Sequence, residues 1–140
     1  MIRTSPGHSR IAMIAFFATA LATYGNAGHA QAVGNAALGK AQYEATCGAC
    51  HSLDANRVGP LHRGVVGRKI ASVADYAYSP AIKRLRGVWT TAKLDTWLQG
   101  PQRVAPGTKM VLSVQDADQR ANIIAYLSSV SVPPVAKAGH

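Results

Sequence analysis

From residue 36 onward the apolar positions recur at helical spacing in blocks, and glycine and proline mark the breaks between the blocks. Asn35 is a good N-cap for a first helix running from Ala36 to about Thr46, with Leu38, Ala41, Tyr43 and Ala45 forming its apolar side. Residues 52–78 hold no sustained period and are punctuated by Gly59-Pro60, Gly64 and Gly67. A loop of that length in a small domain usually wraps something. Ser79-Pro80 then opens a short helix to Arg86, which Gly87 closes. Thr91 is placed to cap another helix, in which Leu94, Trp97 and Leu98 share one face and Gly100-Pro101 is the stop. After a second loop over residues 102–113, Asp116 and Gln119 make a capping box for the last helix. Its apolar positions are Ile123, Ile124, Leu127 and Val130. Nothing reads as sheet, so the expectation is an all-α domain of three longer helices and at least one short one.

The first 32 residues have a different order. Arg3 and Arg10 form a positive start without acids, residues 11–24 are apolar apart from Thr19 and Thr23, and small residues follow. That is the anatomy of a secretory signal peptide, with Ala30-Gln31-Ala32 fitting cleavage after Ala32 and Gly28-His29-Ala30 offering a second site after Ala30. The apolar run is shorter than the ~20 residues a membrane-spanning helix needs, so no insertion is expected after cleavage. The expected organisation is a cleaved leader over 1–32, one domain over 33–132 and a flexible tail over 133–140. The exported protein would then lie in the periplasm.

The whole chain carries a formal charge of +9, and loss of Arg3 and Arg10 with the leader leaves +7. A basic balance suits acidic partners. The basic residues are scattered rather than gathered into the dense runs that bind nucleic acid, so no nucleic-acid partner is expected.

Both cysteines fall inside one five-residue stretch, Cys47-Gly48-Ala49-Cys50-His51, so no disulfide framework can link distant elements. Two thiols three residues apart on a helical turn point the same way and can add to the two vinyl groups on one edge of a porphyrin. His51, next in the chain, offers an imidazole nitrogen to the iron. A redox dithiol would need strand-helix-strand surroundings, and a zinc site would need two more ligands at related spacing. Neither is present, and the export signal fits haem attachment. After leader cleavage Met110 is the only methionine, and it follows Pro106-Gly107-Thr108-Lys109 in a loop, where a fixed bend and a permissive one can aim its thioether inward. Met110 is therefore the candidate second axial ligand. His62 is the rival, read here as a solvated loop histidine beside Arg63.

From about Leu38 to Leu127 the chain resembles the class I cytochromes c, mitochondrial and bacterial periplasmic. Gly39 and Tyr43, and Ile123 and Tyr126, match the family's crossing of first and last helices. The resemblance implies that the Pro60 carbonyl fixes the tautomer of His51. It also implies that Arg68, Tyr78 and Trp89 surround buried haem propionates, the first by charge and the other two by hydrogen bonds. Two departures stand out. Trp97 falls where the family commonly has a tyrosine near the methionine sulfur, which puts that hydrogen bond in doubt. Thr46 and Gln102 occupy two usual positions of the lysine ring around the exposed haem edge.

The resemblance implies one covalent haem c with His/Met ligation in a periplasmic carrier of single electrons. It would be a monomer and not an enzyme, docking on acidic surfaces of redox partners. Two alternatives stay open: a haem subunit of a dehydrogenase or oxidase, and a haem enzyme or gas sensor with a labile sixth ligand.

Overall fold

The computed structural model describes residues 1–2 and 33–131. The leader read over 1–32 and the tail read over 133–140 therefore lie, apart from Met1 and Ile2, outside the described residues. Helix α1 is Ala36–Thr46, α2 Pro80–Lys83, α3 Thr91–Gln99, α4 Pro101–Val104 and α5 Ala117–Ser129. The only extended pairing among the described residues is a single antiparallel bridge between Lys69 and Val88.

Local chemistry sets most of the helix ends. The Asn35 side chain accepts from the amides of Ala37 and Leu38, and the Ser79 side chain accepts from that of Ile82. Thr90, one residue earlier than the sequence suggested, caps α3 by accepting from the Lys93 amide at 3.1 Å. The capping box of α5 is half formed. Asp116 accepts from the Gln119 amide at 2.7 Å, but the Gln119 side chain donates to the Thr46 hydroxyl on α1 instead of reaching back. The reading of a helix to Arg86 was too long, since α2 ends at Lys83. Pro101 does not simply stop α3. It starts the separate turn α4, where its missing N–H is not needed.

The frame is the crossing of α1 on α5. A methyl group on Gly39 would lie 1.9 Å from the Asn122 carbonyl oxygen, and one on Gly34 would lie 2.0 Å from that of Ala121. Only hydrogen fits between the two backbones at these points. Tyr43 and Tyr126 pack beside the crossing with ring centroids 5.4 Å apart, and Ile123 is wholly buried under it.

Loops carry the rest of the chain around this frame. Gly67 donates to the Trp89 carbonyl, Trp89 to that of Arg68, and Ile70 to that of Gly87. Those bonds bring Arg68 and Trp89 together from distant parts of the sequence. At the other end, buried Arg120 of α5 donates to Asp95 of α3 at 2.7 Å and to the carbonyls of Val114 and Gln115. Arg120 is thus one basic residue of the chain that serves the fold, locking two helices and the chain that follows Met110.

Candidate functional site

The cysteine stretch continues directly from α1. The amides of Cys50 and His51 donate to the Cys47 carbonyl, so the chain turns through the motif and both thiols line the same cavity. Burial, helped by the neighbouring Cys50, pushes the Cys47 thiol up to about 11. A thiol held protonated in this way is unlike the lowered thiol of a redox dithiol.

His51 is gripped on three sides. Its Nδ1 lies 2.8 Å from the Pro60 carbonyl oxygen, which can only accept, so Nδ1 carries the hydrogen and Nε2 keeps its lone pair. One face lies on Gly59, where a methyl group would fall 2.1 Å from the imidazole Cε1. The imidazole of His62 stacks on His51 with ring centroids 3.9 Å apart and planes 17° from parallel. Burial lowers the pKa of His51, opposed by the bond to Pro60, and keeps the imidazole neutral.

The reading of His62 as solvated is corrected. Its Nδ1 is buried without a hydrogen-bond partner, and burial, with His51 and Arg68 nearby, holds its pKa well below the usual value. The sequence signal was available in principle: Leu61 and Val65 flank it, but the adjacent Arg63 suggested solvent.

Met110 lies on the wall of the same cavity, beyond the turn at Gly107, whose φ of +88° suits glycine. The doubt over Trp97 resolves into a contact: its indole Nε1–H donates to the Met110 sulfur at 3.2 Å. Trp97 is buried and meets Trp89 edge-on, with ring centroids 5.4 Å apart.

The cavity has a volume of about 350 Å³. Its inner wall is apolar, formed mainly by Val65, Ile82, Leu94, Leu98, Ile123 and Leu127. Arg68, Tyr78 and Trp89 all line it. Among the described residues two cations, Arg68 and Lys109, border it, and no acid does. The half-buried Arg68 donates to the carbonyls of Arg63 and Leu61 and has no carboxylate partner among the described residues. Burial pulls its pKa down, so a negative group brought into this cavity would relieve it. Tyr78 accepts from the Val73 amide, which leaves its own hydroxyl hydrogen for another acceptor. Tyr76, Ser79 and Thr108 also line the cavity, a role that the sequence pattern does not reveal.

Two thiols, a tautomer-fixed imidazole and a thioether thus share one apolar cavity bordered by cations. That donor set fits a planar apolar macrocycle with an acidic edge and an iron centre. A helical domain closed around such a cavity has the form of a c-type cytochrome. The family model for cytochrome c matches residues 36–131.

The cytochrome c-type cyt cy of Rhodobacter capsulatus is 43% identical over 99 residues, covering 69% of this chain and 50% of that protein. Cytochrome c 2.1 of Caenorhabditis briggsae is 40% identical over 101 residues, covering 70% of this chain and 90% of its own. Among solved structures, cytochrome cH from Methylobacterium extorquens is 44% identical with a TM-score of 0.65, over 69% of this chain and 99% of that one. The chain belongs to the cytochrome c family, whose members are haem-based electron carriers. The family binds haem c covalently through Cys-X-X-Cys-His, the spacing of Cys47, Cys50 and His51.

Proposed function

We propose that this protein is a periplasmic carrier of single electrons, exported by a leader cleaved after Ala32, with Cys47 and Cys50 bonded to haem and His51 and Met110 ligating its iron. One observation carries the reading: His51 and Met110 reach the same cavity, each already held by a second group. When bound, haem supplies the one-electron couple.

The chain's own residues do the rest. Pro60 keeps the hydrogen of His51 on Nδ1, which would leave the Nε2 lone pair available to the haem iron. Trp97 holds the Met110 thioether inward by the N–H···S contact. Arg68, Tyr78 and Trp89 would hold the propionates, Arg68 by charge and the other two as hydrogen-bond donors. If His51 and Met110 both held the iron, no coordination site would remain for a substrate, which is the behaviour expected of a monomeric carrier rather than an enzyme.

Arg103 and Lys109 are exposed on α4 and on the methionine loop, and Lys109 borders the cavity. They steer the protein onto acidic partner surfaces, an effect that raises encounter rates by roughly ten to a thousandfold at low salt.

A second reading has support of its own. Val58, Val111 and Leu112 border the cavity while remaining 75%, 78% and 41% exposed. An apolar rim suits a haem subunit held permanently on a dehydrogenase or oxidase.

One experiment separates the two. The carrier reading expects haem protein from the periplasm to begin at Val33 by intact mass, and bimolecular electron transfer to slow as salt rises. Arg103→Glu with Lys109→Glu should slow it further without changing the haem spectrum. Kinetics flat in salt and indifferent to the double variant would favour the bound subunit.

A further inference from the structure

The methionine loop has very little holding its backbone. Thr108 still donates to the Ala105 carbonyl, and Val114 donates to that of Leu98. Between those anchors, the backbone of residues 109–113 makes a single hydrogen bond among the described residues, and it is to the side chain of Gln102.

That side chain does more than one thing. Its amide nitrogen donates to the Thr108 carbonyl at 2.7 Å and to the Met110 carbonyl at 3.2 Å. Its amide oxygen accepts from the Gly107 amide at 3.3 Å. Both donors and the acceptor of one carboxamide are thus spent on the backbone of the loop. The base of the clamp is fixed, because Gln102 sits on α4 next to Pro101, which is fully buried. A lysine at this position could donate but could not accept from Gly107.

We propose that Gln102 is a positioning residue that clamps the loop carrying Met110 and so sets how readily the thioether leaves the iron. The clamp rests on the reading of Met110 as the sixth ligand. Gln102 is exposed and fills no core space, so its removal acts on the loop rather than on folding.

Imidazole added to the ferric holoprotein measures the effect, since it binds iron only after the methionine has left. Gln102→Ala should raise imidazole affinity about tenfold, equivalent to about 1.4 kcal/mol of loop opening. Gln102→Glu should bind imidazole no more weakly than the alanine variant, because a carboxylate cannot donate to the two carbonyls and stands against their oxygens. Gln115→Ala serves as the control. The Gln115 side chain donates to the Gln99 carbonyl and the Ser113 hydroxyl nearby but makes no hydrogen bond to residues 107–110, so this variant should bind as wild type does.

Wild-type affinity in Gln102→Ala, or an equal rise in Gln115→Ala, overturns the clamp. A wild-type ferric protein without the long-wavelength absorption of sulfur-bound iron refutes the Met110 assignment itself, and the clamp with it.

Discussion

Replacing Trp97 by Phe removes one N–H from the Met110 sulfur and leaves an aromatic ring in the core. The contact is 3.2 Å long and partly buried. A neutral hydrogen bond of this kind contributes about 1 kcal/mol. Only the difference between oxidation states reaches the reduction potential. A donor on the sulfur draws electron density away from the iron and so favours the ferrous form. If about half of the bond's value is differential, ~0.5 kcal/mol is at stake, and at about 59 mV per tenfold for one electron the potential should fall by about 20 mV. The smaller ring also loosens the edge-on packing against Trp89, so stability should fall by about 1–2 kcal/mol. Spectroelectrochemical titration gives the potential, and denaturant unfolding gives the stability separately. A potential that is unmoved or higher, with methionine still bound, would refute the claim that this contact tunes the iron.

Other perturbations test the supports around the site. Asp95→Ala leaves the Arg120 guanidinium buried with only carbonyl partners, and should cost about 2 kcal/mol of stability by urea unfolding. A loss under ~0.5 kcal/mol would mean that the pair does not lock α3 to α5. His62→Leu removes a buried ring nitrogen that has no partner, and should stabilise the protein by about 1 kcal/mol in the same assay. Destabilisation would show instead that the stack on His51 is needed. Gly59→Ala places a methyl group against the imidazole, so the yield of haem-loaded protein should drop at least severalfold by haem absorbance per mole of polypeptide. Wild-type loading would contradict the close fit of His51.

The parts of this protein legible in its sequence were those written in short range. The cysteine motif, the Asn35 and Ser79 caps and the apolar faces of α3 and α5 depend on neighbours within a turn or two, and the structure carries them. What pattern could not supply came from contacts across long separations. Gln119 was free to serve its own cap or to reach Thr46, 73 residues away, and the tertiary partner won. His62 was read as solvated because its neighbour Arg63 is charged, while its burial depends on Tyr43 and His51 packing over it. Gln102 resembled a missing surface lysine until its carboxamide was found on the loop backbone. For Trp97 the residue was noticed and its consequence left open, since a ring's reach to sulfur depends on geometry that sequence does not contain.

Electron transfer by this protein requires His51 and Met110 to hold the same iron, and the ferric absorption spectrum of the holoprotein tests that most directly. Wild type should show the weak long-wavelength band of sulfur-ligated ferric haem at neutral pH. Met110→Ala should lose that band while its haem stays covalently attached through Cys47 and Cys50. A wild-type spectrum without the band, or a band that survives the substitution, would contradict the ligand assignment and return the protein to the class with an open sixth position.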